Sequence, residues 1–238
     1  MQLKDGEKIS LIGARQLAHE TDFFAGHGFP VLSAILAKEM YNPKLRILFE
    51  SGAIYSNPGI LPHSVSDATN YQSAKFVLDL PDAFAMLERR DIELVGLSGA
   101  QMDKNGNINS TLIRYGDDIK RLPGSGGACD FASLGKREYV FMFHTPQRLV
   151  EKVDYVTSPG LQTHPNKKID LITNYGVFEI TKDGVMATIL TGDITSEKVK
   201  SNTGFDINIK EDVKILEDFT EDEIKLLRRI DVYGISHR

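Results

Sequence analysis

The sequence predicts an α/β protein built on a single open, mostly parallel sheet flanked by helices. Two short apolar runs near the N-terminus, residues 22–25 and 45–49, enclose a segment with helical spacing, which predicts a strand–helix–strand unit. Further apolar runs of strand length follow along the chain. The chain has no internal repeat, low-complexity tract or Pro/Ser-rich linker, so we expect one domain over residues 1–238.

Composition narrows the class of function. The 238 residues are 41% hydrophobic and 26% charged, as in soluble globular proteins. Lys and Arg total 28 against 33 Asp and Glu, so no basic stripe is expected to bind nucleic acid. One cysteine permits no internal disulfide, and the polar N-terminus and the lack of a long apolar run argue against membrane insertion. We therefore expect a cytoplasmic protein.

The strand–helix–strand unit near the N-terminus predicts where a ligand binds. Residues 22–25 are expected to form a strand, Gly26–Phe29 a Gly-rich turn, and Pro30 the first turn of a helix. Apolar residues then recur at helical spacing: Val31, Ile35, Leu36 and Met40. The second strand, 45–49, delivers Glu50 to its carboxyl end, which is the edge where open α/β sheets bind ligands.

The remaining elements follow from turn signals and apolar runs. Residues 51–73 are expected to be irregular, 81–90 helical, 93–97 a strand, 105–106 a turn, and 128–134 a short helix after the Gly-rich loop 124–127. Further strands are predicted at 138–143, 152–156, 171–173, 177–180 and 185–190, with a hairpin turn at 182–184. Thr220 and Glu223 predict a capping box for a helix with an apolar face of Ile224, Leu227 and Ile230.

Glu50 is the main catalytic candidate. Charged residues at strand ends are common, and spacing alone favours a solvated carboxylate. Two Gly-rich loops expected at the same edge favour a functional role, because their backbone N–H groups can stabilise an oxyanion while a positioned carboxylate attacks a carbonyl carbon.

Other candidates have simpler interpretations. Cys129 is expected to be a small buried residue without a catalytic role. The Asp103-x-Asn105-x-Asn107 spacing fails as a calcium loop, because Ile108 stands where glycine is needed and Arg114 where glutamate is needed. His63, His144 and His164 show no metal-ligand spacing, and no metal site is expected. Arg114, Lys120 and Arg121 are expected to be a solvated face, with contact to the phosphates or to an acidic group of a ligand as the minority alternative.

Several unusual motifs give the chain a specific resemblance. They run in order from about residue 20 to residue 206: GHGFP at 26–30, FESG at 49–52, GAQMDKNGNINST at 99–111, GSGGA at 124–128, DYVTSPG at 154–160 and NTGFD at 202–206. With these motifs the sequence resembles the beta subunits of glutaconate CoA-transferases, within the class I CoA-transferase family. Residues 53–90 and the C-terminal tail match less clearly.

The resemblance implies a mechanism. Glu50 stands at the position of the family's nucleophile, which attacks an acyl-CoA thioester and becomes a glutamyl-CoA thioester in a ping-pong reaction. Asp130 falls where relatives carry aspartate, without a catalytic role. The residues implied to bind substrate or CoA are Gly26, Gly28, Ser51, Gly52, Gly99, Ala100, Gln101, Gly124, Ser125, Gly126, Gly127 and Ala128.

The resemblance also implies partners. The active site of this family forms between this subunit and an alpha subunit of similar fold, in a heterodimer or heterotetramer, so the chain is expected to be inactive alone. Coenzyme A thioester and a carboxylic acid are implied as substrates, with no permanently bound cofactor.

Alternatives stay open at this point. Relatives that lack the glutamate are hydrolases or decarboxylases, and a non-catalytic acyl-CoA-binding subunit is also compatible with the fold. His27 stands where a smaller residue is usual in the family, and we favour a local hydrogen bond over substrate contact. The acyl group is undetermined among glutaconate, a 3-oxoacid and a ring-derived acid.

Overall fold

The computed structural model describes residues 3–237. Its α-helices are α1 (Asp5–Leu17), α2 (Phe29–Met40), α3 (Leu80–Glu88), α4 (Ala128–Leu134), α5 (Ser196–Ser201) and α6 (Glu221–Ile230), with 3₁₀ helices at Ala68–Tyr71 and Ile235–His237. Its strands are β1 (Asp22–Ala25), β2 (Arg46–Leu48), β3 (Ala53–Ser56), β4 (Phe76–Val77), β5 (Leu94–Ser98), β6 (Gln101–Met102), β7 (Ile108–Asn109), β8 (Leu112–Tyr115), β9 (Asp118–Arg121), β10 (Arg137–Phe141), β11 (Lys168–Thr173), β12 (Gly176–Thr181), β13 (Gly184–Thr191), β14 (Ile207–Asn208) and β15 (Lys214–Leu216).

One open sheet of 11 strands organises the chain, in the order β14-β13-β12-β11-β10-β5-β1-β2-β3-β4 with β15 beside β13. The central strands β11, β10, β5, β1 and β2 are all parallel. Antiparallel strands β12 and β13 extend one side, and β3 and β4 extend the other. The predicted open, mostly parallel sheet with flanking helices is confirmed. Two hairpins, β6–β7 and β8–β9, lie outside it.

Hydrophobic side chains cover both faces of the central sheet. Successive residues of β1 point to opposite faces, so Phe23 joins one core and Phe24 the other. The first core also contains α1, α2 and α6, and the second contains α3 and α4. Because strands such as β1 are buried on both faces, they read in the sequence as continuous apolar runs.

Helix boundaries follow the capping signals. Pro30 lies in the first turn of α2, as predicted. The capping box of α6 is also confirmed: the Glu223 N–H donates to the Thr220 hydroxyl at 3.2 Å, and the Thr220 N–H donates to the Glu223 carboxylate at 2.6 Å. Within residues 3–237 no helix has the length and apolar character that a bilayer crossing requires.

Three segments of the structure differ from the sequence prediction. Residues 152–156 form no strand: Val153 is buried, but Tyr155 and Val156 are exposed and pack against no sheet face. The supposedly irregular stretch 51–73 contains β3, which pairs with β2, and a 3₁₀ helix. The polar N-terminal stretch, of which Met1 and Gln2 lie outside the described residues, leads into α1, a helix that the sequence did not predict.

Candidate active site

The carboxyl ends of four adjacent parallel strands form one edge of the sheet. The strands β10, β5, β1 and β2 lie side by side in that order. Phe143 follows β10, Ser98 ends β5, His27 follows β1, and Glu50 follows β2. Ligands of open α/β sheets bind at this edge, which therefore brings the predicted nucleophile and the first Gly-rich turn together.

A tight turn between β2 and β3 presents Glu50. The Phe49 N–H donates to the Ala53 carbonyl and the Gly52 N–H donates to the Phe49 carbonyl, both at 3.0 Å. Gly52 has φ 89°, and a Cβ there would lie 1.8 Å from the Leu78 carbonyl oxygen. Glycine at 52 is thus required to close the turn, whatever it does for a ligand.

Ser51 combines a fixed backbone with an unsatisfied side chain. Its carbonyl accepts a hydrogen bond from the Tyr71 hydroxyl at 2.8 Å. Its hydroxyl oxygen is shielded and has no hydrogen-bond partner among the described residues. Buried hydroxyl groups are usually satisfied, so this one is available to a ligand or to water at the turn.

The second Gly-rich loop enters α4 directly. The Gly124 N–H donates to the Ser110 carbonyl and the Ala128 N–H donates to the Ser125 carbonyl, both at 2.9 Å. Gly124 and Gly126 have φ values of 98° and 49°, which favour glycine. The loop therefore turns sharply and leaves Gly127 as the N-cap residue of α4.

Glu50 and Gly127 are in close contact. A Cβ at Gly127 would lie 2.5 Å from Oε2 of Glu50 and 2.6 Å from the ring of Phe84. The nearby Gly127 N–H also favours the charged form of the Glu50 carboxylate and so acts to lower its pKa. The structure thus brings the second Gly-rich loop and the ESG turn together, and a larger residue at 127 would displace the Glu50 carboxylate or the Phe84 ring.

An aromatic cluster holds the loop in this position. Phe131 of α4 packs against Phe24 of β1 with ring centroids 4.6 Å apart, and Phe84 of α3 packs on both of them at 5.4 and 5.7 Å. Burial of these rings fixes α4 against the sheet. The position of Gly127 beside Glu50 follows from that packing.

The environment of Glu50 raises its pKa. The half-buried carboxylate is partly desolvated, which is the largest cause, and the negative charge of nearby Asp130 adds to it. The nearby Gly127 N–H opposes the shift. A raised pKa makes the carboxylate more basic and a better nucleophile once it is ionised.

The first Gly-rich turn has a clear backbone role. The Gly26 N–H donates to the Gly96 carbonyl at 2.9 Å, and a Cβ at Gly26 would lie 2.4 Å from that oxygen. Gly28 caps α2 with φ 89° and has open space around it. These glycines let the chain leave β1 beside β5, and Gly28 lines a cleft of ≈ 660 Å³ at the edge of the sheet.

The third predicted segment, Gly99–Gln101, lies at the end of β5 and in the β6–β7 hairpin. The Ala100 N–H donates a hydrogen bond to the Asn109 carbonyl at 2.8 Å. The buried Gln101 amide donates to Asp154 at 2.9 Å and accepts from Asn109 at 2.7 Å. Its polar atoms are thus used within the chain, and the structure does not bring Gln101 to an open surface.

Some isolated candidates are placed differently from the sequence prediction. Cys129 is exposed, not buried, because it faces outward from the first turn of α4 while Phe131 faces inward. His144 is buried, its ring nitrogens lie 3.1 and 2.9 Å from the hydroxyls of Thr173 and Thr203, and burial lowers its pKa to about 3. It is therefore a neutral structural residue. No group of three or more His, Cys, Asp or Glu side chains within residues 3–237 is arranged to hold a metal ion.

The predicted basic cluster divides between the two faces of the β8–β9 hairpin. Arg121 pairs with Leu112 and Ile119 with Arg114, so the two arginines share one face. Lys120 pairs with Ile113 and points to the other face. All three basic residues are exposed, as the solvated-face interpretation expects.

Arg148 and Phe84 were not among the residues predicted from the sequence. Arg148 lines the cleft at the sheet edge, together with Ser98 and His27. It lies in the segment after β10, seven residues beyond the end of the strand, so the rule that ligands bind at strand ends was only an indirect signal for it. Phe84 lies on the predicted helix α3, but its contact with Gly127 depends on how α3 packs, which no local pattern specifies.

The chain is similar to known proteins over most of its length. A family model described as coenzyme A transferase matches residues 14–202. The B subunit of 3-oxoadipate CoA-transferase from Pseudomonas knackmussii is 30% identical over 94% of this chain and 92% of its own. The B subunit of glutaconate CoA-transferase from Acidaminococcus fermentans is 32% identical over 85% of this chain and 83% of its own.

Solved structures share the fold. The crystal structure of glutaconate coenzyme A-transferase from Acidaminococcus fermentans superposes with a TM-score of 0.81 at 25% identity, covering 96% of this chain and 95% of that one. The crystal structure of the decarboxylase AibA/AibB superposes with a TM-score of 0.83, covering 99% of this chain and 98% of that one. Its sequence identity is 21%, so it supports the fold alone.

Proposed function

The chain belongs to the coenzyme A transferase family, and from this premise we propose that Glu50 is the nucleophile that carries coenzyme A between an acyl-CoA and a free carboxylic acid. The observation that carries the proposal is the contact between the Glu50 carboxylate and Gly127 at the start of α4. This contact joins the two features that the reaction needs from this chain, a carboxylate nucleophile and backbone N–H donors.

The first half-reaction transfers CoA to the enzyme. The ionised Glu50 carboxylate attacks the thioester carbonyl. The developing oxyanion is stabilised by the backbone N–H groups of Ser125 and Gly126, which donate to no acceptor within residues 3–237. The C–S bond breaks, CoA leaves as the thiolate, and an acyl-glutamyl anhydride forms. The thiolate then attacks the Glu50 carbonyl carbon, which releases the acyl group as a carboxylate and leaves a glutamyl-CoA thioester.

The second half-reaction reverses these steps with a different acid. The acceptor carboxylate attacks the glutamyl thioester and expels CoA thiolate, which leaves a new anhydride between Glu50 and the acceptor. The thiolate then attacks the acceptor's carbonyl carbon in this anhydride. A new acyl-CoA leaves and the Glu50 carboxylate is restored. The first acid departs before the second binds, so the kinetics are ping-pong.

The chain acts as a beta subunit. The relatives with the broadest coverage are named as B subunits, which supports an alpha subunit that completes the site in a heterodimer or heterotetramer. Those relatives are named for 3-oxoadipate and glutaconate, which supports a small organic acid as acceptor. We also propose a cytoplasmic location, supported by the exposed free thiol of Cys129, which suits a reducing compartment.

Mass spectrometry tests the proposal. The chain is co-expressed with its alpha partner, incubated with acyl-CoA and treated with borohydride, and the peptide containing Glu50 is then analysed. We expect CoA mass on Glu50 without borohydride and a reduced glutamyl side chain with it, and neither in Glu50→Gln. Consumption of acyl-CoA by hydrolysis or decarboxylation, without an adduct, would contradict transfer.

A further inference from the structure

A large cleft adjoins the Glu50 site and has no role in the proposed covalent steps. It has a volume of ≈ 660 Å³ and lies over the carboxyl ends of β1, β5 and β10. His27 lines both this cleft and the narrower cavity that contains Glu50. The cleft and the Glu50 cavity are therefore adjacent, with His27 between them.

Arg148 places a guanidinium in the wall of this cleft. Its backbone N–H donates to the Thr145 carbonyl at 3.0 Å, its Nη1 donates to the Gly99 carbonyl at 3.1 Å, and its guanidinium lies 5.4 Å from the ring centroid of Phe143. These contacts fix the direction of a half-buried side chain. They use one of its five N–H donors, and the others are available.

No carboxylate within residues 3–237 forms an ion pair with Arg148. Burial lowers the pKa of Arg148, and no neighbouring acid counteracts the shift. A partly desolvated cation without a counter-ion is costly, and an anionic ligand relieves that cost.

The rest of the cleft suits an anion. The residues that line it, among those described, include no Asp or Glu. His27 and His63 also line the cleft, and Ser98 contributes a shielded hydroxyl oxygen without a hydrogen-bond partner among the described residues. A planar guanidinium binds a carboxylate through two parallel hydrogen bonds, which makes a carboxylate the best match.

The distance between Glu50 and Arg148 limits the length of a ligand that contacts both residues. The strands that precede Glu50 and Arg148, β2 and β10, are three strand spacings apart, or roughly 14 Å. A ligand that occupies both the Glu50 cavity and the cleft carries a reacting carboxyl at one end and a second charge at the other.

We propose that Arg148 binds the distal carboxylate of a dicarboxylic acyl group whose reacting carboxyl faces Glu50. This inference rests on the proposed function and assigns its substrate class. The competing source of a carboxylate is a side chain of the alpha subunit, because Arg148 also borders a second open hollow lined by Lys4, Asp5 and His237. The substrate is favoured because the cleft is shared with the Glu50 cavity through His27.

The test uses the enzyme assembled with its alpha subunit and acids of matched chain length: glutarate against pentanoate, and adipate against hexanoate. Direct binding is measured by calorimetry, and kcat/KM is measured for each acid as acceptor. Arg148→Met removes the charge at similar length, and Arg148→Lys keeps the charge without the fork. Arg229→Met, at an exposed position on α6, is the matched control.

We expect Arg148→Met to lower the ratio of dicarboxylate to monocarboxylate, in both binding and kcat/KM, by roughly 10- to 100-fold. Arg148→Lys is expected to restore part of the ratio, and Arg229→Met to leave it unchanged. An unchanged ratio in Arg148→Met overturns the inference, as does loss of subunit assembly with the preference for dicarboxylates intact. Because binding is read without turnover, selective binding of dicarboxylates without CoA transfer contradicts only the proposed function.

Discussion

Glu50 and Gly127 are 77 positions apart in the sequence, yet a Cβ at Gly127 would lie only 2.5 Å from Oε2 of Glu50. Their contact depends on the β2–β3 turn on one side and on the seating of α4 on the other. Changes at either residue therefore test the site directly.

Replacing Glu50 with Gln is expected to lower kcat of the assembled enzyme by at least roughly 10³-fold, because an amide is a poor nucleophile of similar size. The melting temperature should stay close to that of the wild type, since Glu50 is half-buried and forms no ion pair in the described structure. Steady-state kinetics and thermal unfolding are the measurements. Glu211→Gln, in an exposed turn, is the control, and full activity in Glu50→Gln would remove Glu50 from the reaction.

The Gly127→Ala variant tests the close approach of Glu50 to Gly127 without adding backbone strain. The φ of Gly127 is −80°, which alanine adopts readily, but the added methyl group collides with Glu50 and Phe84. We expect kcat to fall about 10- to 100-fold, since displacements of about 1 Å at a reacting group have effects of this size. Stopped assays of CoA transfer, together with the melting temperature, measure the two effects.

Gly126→Ala is the matched comparison. Its φ is 49° and no atom lies within 4 Å of the position that an added methyl group would take, so alanine there strains the backbone by about 1–2 kcal/mol without touching Glu50. We expect a smaller loss of kcat than in Gly127→Ala and a larger loss of stability. The reverse order would show that the contact of Glu50 with Gly127 does not matter for transfer.

Asp130→Asn should shift the pH dependence. The charge of Asp130 raises the pKa of Glu50, and the nucleophile is the ionised form. Removing that charge lowers the pKa of Glu50, so the acid limb of kcat/KM is expected to move to lower pH. Profiles of kcat/KM against pH check the direction, with Asp183→Asn in the β12–β13 turn as the control. A shift to higher pH would contradict the assigned coupling.

Thr220→Ala tests the capping box of α6. The substitution removes the side chain that accepts from the Glu223 N–H, and such caps contribute about 1 kcal/mol. For a chain of this size we expect the melting temperature to fall by about 2–4 °C, measured by calorimetry. Thr220→Ser keeps the hydroxyl and should keep most of the stability. Equal losses in both variants would mean that the methyl group, not the cap, stabilises the helix.

Local signals in the sequence predicted much of the fold. The bounds of β1 and α4, the position of Pro30 in α2 and the capping box of α6 agree with the structure because each depends on neighbours in the chain. Helix α1 was missed because Gly6 and Gly13 lower helix propensity. A Cβ at Gly13 would lie 2.4 Å from the Phe141 ring, so a close approach in the tertiary structure explains that glycine.

The sequence by itself determined the identity of the candidate nucleophile, the glycine-rich loops and the parallel sheet, since motifs and periodicity are local properties. Only the tertiary structure decided that Gly127, and not Gly126, contacts Glu50 and that Arg148 faces the adjoining cleft. Both relationships arise from packing between elements distant in sequence. The aromatic rings of α3, α4 and β1 set the first, and the order of strands along the sheet edge sets the second.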